Sequence, residues 1–160
     1  MGAEVIACAR GAEKLQVAKA AGADHLINSE TDDIRDIVRA LGGADVVYDP
    51  VGGDQFKAAL RACNPEARIL PLGFASGEVP QIPANILLVK NLTVIGYYWG
   101  GYSKIKPAVL TNSFAQLIAW YQDGKLTPHI SHTLPLAHCN EGLELLRTRK
   151  ATGKVIIEIG

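Results

Sequence analysis

Arg10 and Lys14 are the first side chains whose type and spacing carry chemistry. They lie in the stretch Ala9-Arg10-Gly11-Ala12-Glu13-Lys14, directly after an apolar run at residues 5–9. A strand tip that feeds a helix is where an open α/β sheet holds a dinucleotide, and an acid at that tip takes the ribose hydroxyls. Here the tip reads Cys8-Ala9-Arg10, with no acid. Two cations in its place suit a 2′-phosphate, through charge-assisted hydrogen bonds, and favour NADPH over NADH. The same pair also reads as solvated charge at a helix start, the ordinary condition of surface cations.

Three further loops combine glycine with a strand end. In Asp49-Pro50-Val51-Gly52-Gly53 the two glycines let a backbone approach a ligand closely, with helix N-terminal amides following at once. A tight strand-to-helix turn with no ligand explains the loop equally well. Leu72-Gly73-Phe74-Ala75-Ser76-Gly77 admits the same two readings. In Gly96-Tyr97-Tyr98-Trp99-Gly100-Gly101-Tyr102 the aromatic residues between glycines could wall a planar ring, or form an interface.

Other chemistries find no support. The chain has no G-x-G-x-x-G, Walker A, H-E-x-x-H or G-x-S-x-G motif. His129, His132, His138 and Cys139 resemble a metal cluster only on paper. If residues 129–132 are extended, the two histidines face opposite ways, and Pro128 and Pro135 point to a surface loop. No metal is expected. Asp123, Glu141 and Glu144 read as helix surface charge. Cys8 and Cys63 lie in apolar patterns and are expected in the core.

These loops need elements to hold them, and the chain alternates between the two kinds. Strands are expected at residues 5–9, 25–27, 44–48, 68–72, 92–99 and 155–159, the first as a run covered on both faces. Helical stretches lie between them. Ile34, Ile37, Val38 and Leu41 share one face, with Thr31 and Asp32 as cap candidates; Phe56, Ala59, Leu60 and Cys63 share another. Helices are also expected at residues 13–21 and 84–90, at 109–121 with Gly124 as the stop, and around Leu143 and Leu146. Strands recurring with helices between them are βαβ units, so the fold class is α/β, a doubly wound parallel sheet of Rossmann type.

Composition sets the outer bounds. The chain has 160 residues, 48% hydrophobic, with 16 basic residues balanced by 16 acidic ones. That is enough apolar content for a core, and a neutral total argues against nucleic acid or an anionic membrane as partner. No apolar run is long enough to span a bilayer, and residues 1–4 lack the pattern of a secretory signal. Three cysteines, an odd and sparse set, fit a reducing cytoplasm better than a disulfide scaffold.

The residues together resemble a known family. The stretches that carry the resemblance are Gly2-Ala3-Glu4-Val5-Ile6-Ala7, Glu13-Lys14, Gly22-Ala23-Asp24-His25-Leu26-Ile27-Asn28 and Asp49-Pro50-Val51-Gly52-Gly53. Further along come Pro83-Ala84-Asn85, Asn91-Leu92-Thr93-Val94-Ile95-Gly96 with Tyr98-Trp99-Gly100, and Ala151-Thr152-Gly153-Lys154-Val155. In this order they are similar to the cofactor-binding part of quinone oxidoreductases of the zeta-crystallin type, in the medium-chain dehydrogenase/reductase superfamily.

The resemblance implies NADPH-dependent, zinc-independent hydride transfer to a quinone or an α,β-unsaturated carbonyl. It implies that Arg10 and Lys14 contact the 2′-phosphate and that Val51, Gly52, Leu72, Gly73 and Phe74 line the cofactor. Tyr98, Trp99 and Gly100 would lie near the nicotinamide, and Lys154 would make a further cofactor contact. It implies a homodimer through the strand around residues 92–98, whereas a strand buried within one subunit is the other reading. Relatives often carry Tyr where this chain has Ser29, which weakens one wall of the expected phosphate pocket.

The family also has a preceding substrate domain and a first strand with a Gly-rich turn, neither of which matches anything here. The expectation is therefore a partial cofactor-binding domain of a longer enzyme, with two strands left unpaired beside the missing one. No catalytic acid or base can be named from these residues. The alternative is a non-catalytic nucleotide-binding or oligomerising module.

Overall fold

In the computed structural model, which describes residues 2–160, the first apolar run forms β1 (Ile6–Ala9) and turns at Gly11 into α1 (Ala12–Ala20). That helix stops at Gly22, whose φ of 98° is open to glycine at no steric cost. β2 (His25–Asn28) follows and pairs in parallel with β1. The next helix, α2 (Ile34–Ala40), is capped by Asp33, whose carboxylate accepts the Asp36 N–H at 2.9 Å. Of the two cap candidates, Asp32 instead accepts the Asn28 N–H and Thr31 donates to Asp32, so both serve the turn before the helix.

β3 (Ala44–Asp49) leads through the Pro50–Gly52 loop into α3 (Gly53–Ala62), which runs without a break into β4 (Cys63–Pro71). Lys90 secures that junction by donating to the carbonyls of Arg61 and Cys63, carbonyls a helix end would otherwise leave unpaired. α4 (Ala84–Lys90) and β5 (Thr93–Val94) complete a parallel ladder in the order β3-β4-β5. The β3–β4 register shifts between Ala44 and Val46, opposite the stretch in which Glu66 takes a φ of 65°.

The core lies where the helix stripes meet these strands. Phe56 and Leu60 of α3 pack with Cys63, Ala67, Ile69 and Leu92, while Ile27, Val38 and Ala62 form a second cluster joining β2, α2 and α3. Burial of each large side chain stabilises the fold by about 1.5–3 kcal/mol.

After Trp99 the chain divides into a second compact unit. It contains α5 (Tyr102–Ile105), α6 (Pro107–Gln122), β6 (Ile130–Pro135), α7 (Cys139–Arg147) and β7 (Lys154–Glu158). β6 and β7 pair in parallel, and α7 covers them closely at Gly142, where a Cβ would stand 3.1 Å from Val155 and 3.3 Å from Ile157. Among the described residues, no helix is long and apolar enough to cross a membrane.

The α/β class and the parallel pairing match the expectation, while several local readings change. The strand expected at 92–99 is reduced to Thr93–Val94. Ile95 still donates to the Ile69 carbonyl, but the next rung would need an N–H from Pro71, which has none. Residues 130–135 are a strand and not a loop, because β7 supplies the partner and prolines are tolerated at the ends of an edge strand. Cys8 is exposed, not core, since apolar neighbours along a strand do not decide whether the face that carries a side chain is covered. On β3 the side chains alternate, so that Val47 packs on the core while Val46 and Tyr48 are exposed on the opposite face.

Candidate functional site

Two pairs of strand-end loops in the first unit gather seven of the eleven residues singled out above. The first pair joins the tips of β1 and β2. Asn28 accepts through its side-chain oxygen from the backbone N–H of Gly11 at 3.2 Å and from that of Glu30 at 3.1 Å. Ser29 donates its N–H to the Ala9 carbonyl at 3.0 Å, so the second tip is held against the first.

This arrangement sets Arg10 against Glu30, with Nε 3.4 Å from Oε1 and both side chains about half exposed. Gly11, at a φ of 77°, begins α1 with no side-chain cap, and a Cβ there would meet nothing within 4 Å. Lys14 lies in the first turn of that helix. Open space, uncapped helix amides, Arg10 just before the helix and Lys14 in its first turn form a donor set that fits an anionic phosphate, although Glu13 shares that first turn.

The second pair joins the loops after β3 and β4, and it is organised by Asp49, the buried charged residue of the core. Its carboxylate accepts the N–H of Val51 at 2.8 Å and that of Gly52 at 3.1 Å, an Asx turn that satisfies amides at the α3 entrance. Its backbone carbonyl accepts the Leu72 N–H at 2.8 Å. The neighbouring carbonyls of Pro50 and Val51 accept from Ala75 and Ser76. The loop bearing Val51 and Gly52 is thereby zipped to the loop bearing Leu72, Gly73 and Phe74.

The role of the glycines follows from this zipper. A Cβ on Gly52 would stand 2.7 Å from the Glu78 carbonyl oxygen, and one on Gly73 would stand 3.1 Å from that of Pro50. The close backbone approach expected here is thus made by one loop to the other. The amides of Val51 and Gly52, just ahead of α3, are taken by Asp49. Gly52→Ala, with φ at 73° and a backbone oxygen in the way, is expected to cost about 1–3 kcal/mol, read as a lower midpoint in chemical denaturation. An unchanged midpoint would mean the two loops separate freely.

The remaining candidates are placed differently. Tyr98 is exposed, Trp99 and Gly100 lie in a short 3₁₀ turn at the boundary between the two units, and Lys154 belongs to the second unit. Lys154 opens β7 and donates its backbone N–H to the His129 carbonyl. His129 Nε2 lies 3.2 Å from Thr152 Oγ1, and His138 pairs with Glu141. Cys63 is buried, and burial pushes its thiol pKa up despite the opposing pull of Lys90. Glu30 and Asp49 are the polar residues that inspection of motifs passed over. An Asx residue two and three positions before its amide partners was the available signal for Asp49. Nothing local marks Glu30.

Comparison with known proteins follows the same lines. Residues 1–122 match the family described as zinc-binding dehydrogenase. A quinone oxidoreductase-like protein 2 homolog of Nematostella vectensis is 44% identical over 160 residues, covering 98% of this chain and 44% of the relative. The crystal structure of Escherichia coli quinone oxidoreductase complexed with NADPH is 26% identical, with a TM-score of 0.85 over 99% of this chain and 50% of that one. That of an NAD-dependent alcohol dehydrogenase is 31% identical, with a TM-score of 0.84 over 99% of this chain and 45% of that one. The chain spans about half the length of these relatives. The family's description implies zinc, but among the described residues no three His, Cys, Asp or Glu side chains gather as metal ligands. The residues present do not fit that ion.

Proposed function

Because the chain belongs to the zinc-binding dehydrogenase family, we propose that it is the cofactor-binding part of an NADPH-dependent, zinc-independent oxidoreductase. Its substrate is a small quinone or α,β-unsaturated carbonyl. The observation that carries the reading is the β1–α1 turn, where Arg10 and Lys14 flank an open, uncapped helix start. The cofactor supplies hydride from its nicotinamide ring. The protein's own part is to bind the adenosine end by charge and to hold the strand-end loops rigid, so that the reacting ring is positioned and water kept out.

The quinone oxidoreductase relatives support the substrate class, and the NADPH complex of the Escherichia coli enzyme supports the cofactor. The edges of β1 and β3 that have no partner among the described residues support a further strand beside them in a longer protein. We place the protein in the cytoplasm, as a homodimer joined along the free side of β5. Leu88, Val89 and Tyr98, exposed and close to that strand in the sequence, support the dimer.

The test is nucleotide binding by the double variant Arg10→Ala, Lys14→Ala. Loss of two charge-assisted contacts to phosphate is expected to weaken NADPH about 100-fold and leave NADH within about two-fold. Equal losses for both nucleotides, or equal affinities for both in the unaltered protein, would remove the phosphate site from these residues.

A further inference from the structure

We propose that Glu30 sets how strongly the protein prefers a 2′-phosphate over a free 2′-hydroxyl, by competing for Arg10; this rests on the cofactor reading above. Glu30 lies twenty residues from Arg10 in the chain, yet its backbone is fixed beside the β1–α1 turn because Asn28 accepts from Gly11 and from Glu30 through one oxygen. The carboxylate then meets the guanidinium at 3.4 Å.

Two consequences follow from the chemistry. An ion pair this exposed is weak and screened, so a phosphate dianion can draw Arg10 away from it. Once there, the phosphate stands beside a like charge that still holds part of the guanidinium, and its binding is reduced. A ribose hydroxyl in the same place meets no such penalty and can donate a hydrogen bond to the carboxylate. The acid that a strand tip lacks at Ala9-Arg10 is thus supplied by the neighbouring tip. Glu30 thus lessens the preference for the 2′-phosphate that Arg10 and Lys14 create, without abolishing it.

Glu30→Gln keeps the side chain's size and removes its charge. Titration of the protein with NADPH and NADH, and with adenosine 2′-monophosphate against adenosine 5′-monophosphate as minimal probes, measures the preference directly. The variant is expected to bind NADPH and the 2′-monophosphate about five-fold more tightly, with NADH unchanged or up to about two-fold weaker. In an Arg10→Ala background most of that gain is expected to disappear, because Glu30 acts through Arg10. A merely structural role would move both nucleotides together. If the unaltered protein binds nucleotide and Glu30→Gln leaves the NADPH-to-NADH ratio unchanged, this proposal fails alone. If the unaltered protein binds neither nucleotide, the cofactor reading fails and takes this proposal with it.

Discussion

Replacement of Phe56 by alanine is expected to remove about 3–5 kcal/mol from the stability of the fold. Phe56 is 1% exposed and shares a buried cluster with Leu60, Ala67, Ile69 and Leu92, which unites the helix, the central strand β4 and the turn before β5. Its loss opens a cavity that the surrounding backbone cannot close, because β4 is fixed by pairing on both of its edges. A domain of this size holds only about 5–15 kcal/mol in total, so the variant should melt roughly 10 °C lower or fail to accumulate as folded protein. Circular dichroism during heating reads the change directly. A fall of less than about 2 °C would show that the two hydrophobic clusters do not act as one cooperative core.

Asp49→Ala should come next in severity, through polar groups and not through volume. The substitution leaves the Val51 and Gly52 amides without their acceptor in a part-buried turn, at a cost of about 2–4 kcal/mol. Asp49→Asn keeps one acceptor oxygen and the side chain's shape, and is expected to lose about half as much. Because the backbone carbonyl of residue 49 still accepts from Leu72 in either variant, the β-ladder should persist while the two loops loosen. Hydrogen exchange distinguishes this from general unfolding. Faster exchange confined to residues 51–53 and 72–77 is expected, with β3 and β4 still protected. Uniform acceleration across both strands would instead make Asp49 an element of the core as a whole.

The elements themselves were legible because each carries its own period. The stripe Ile34, Ile37, Val38, Leu41 forms α2 and its continuation, and Phe56 with Leu60 faces the core as the 3.6-residue spacing requires. What went astray was set by neighbours in space. Residues 92–99 have the composition of a long strand, yet pairing stops where Pro71 on the adjacent strand lacks an N–H. Residues 130–135 lie between the prolines of an expected loop, Pro128 before them and Pro135 at their end, yet β7 recruits them as a strand. Cys8 has apolar sequence neighbours, yet the face of β1 that carries it is exposed.

The candidate site divides in the same way. Arg10 lies in the turn after β1 and Lys14 in the first turn of α1, so their shared chemistry was visible as two cations close in sequence at a strand tip. The glycines of the second loop pair were visible too, but their partner was not. Whether a bare backbone faces a ligand or another loop depends on what the fold brings opposite, and here it brings Glu78 and Pro50.

By itself, then, the sequence determined the alternation of strand and helix, the parallel class and the cationic turn after the first strand. These are properties of local period, local charge and local turn geometry. Only the tertiary structure decided that Glu30 meets Arg10 and that Asp49 closes one glycine loop onto another. Each of those joins groups remote in the chain, and such contacts are selected by the packing and hydrogen bonding of the whole unit. No residue's intrinsic preference encodes them.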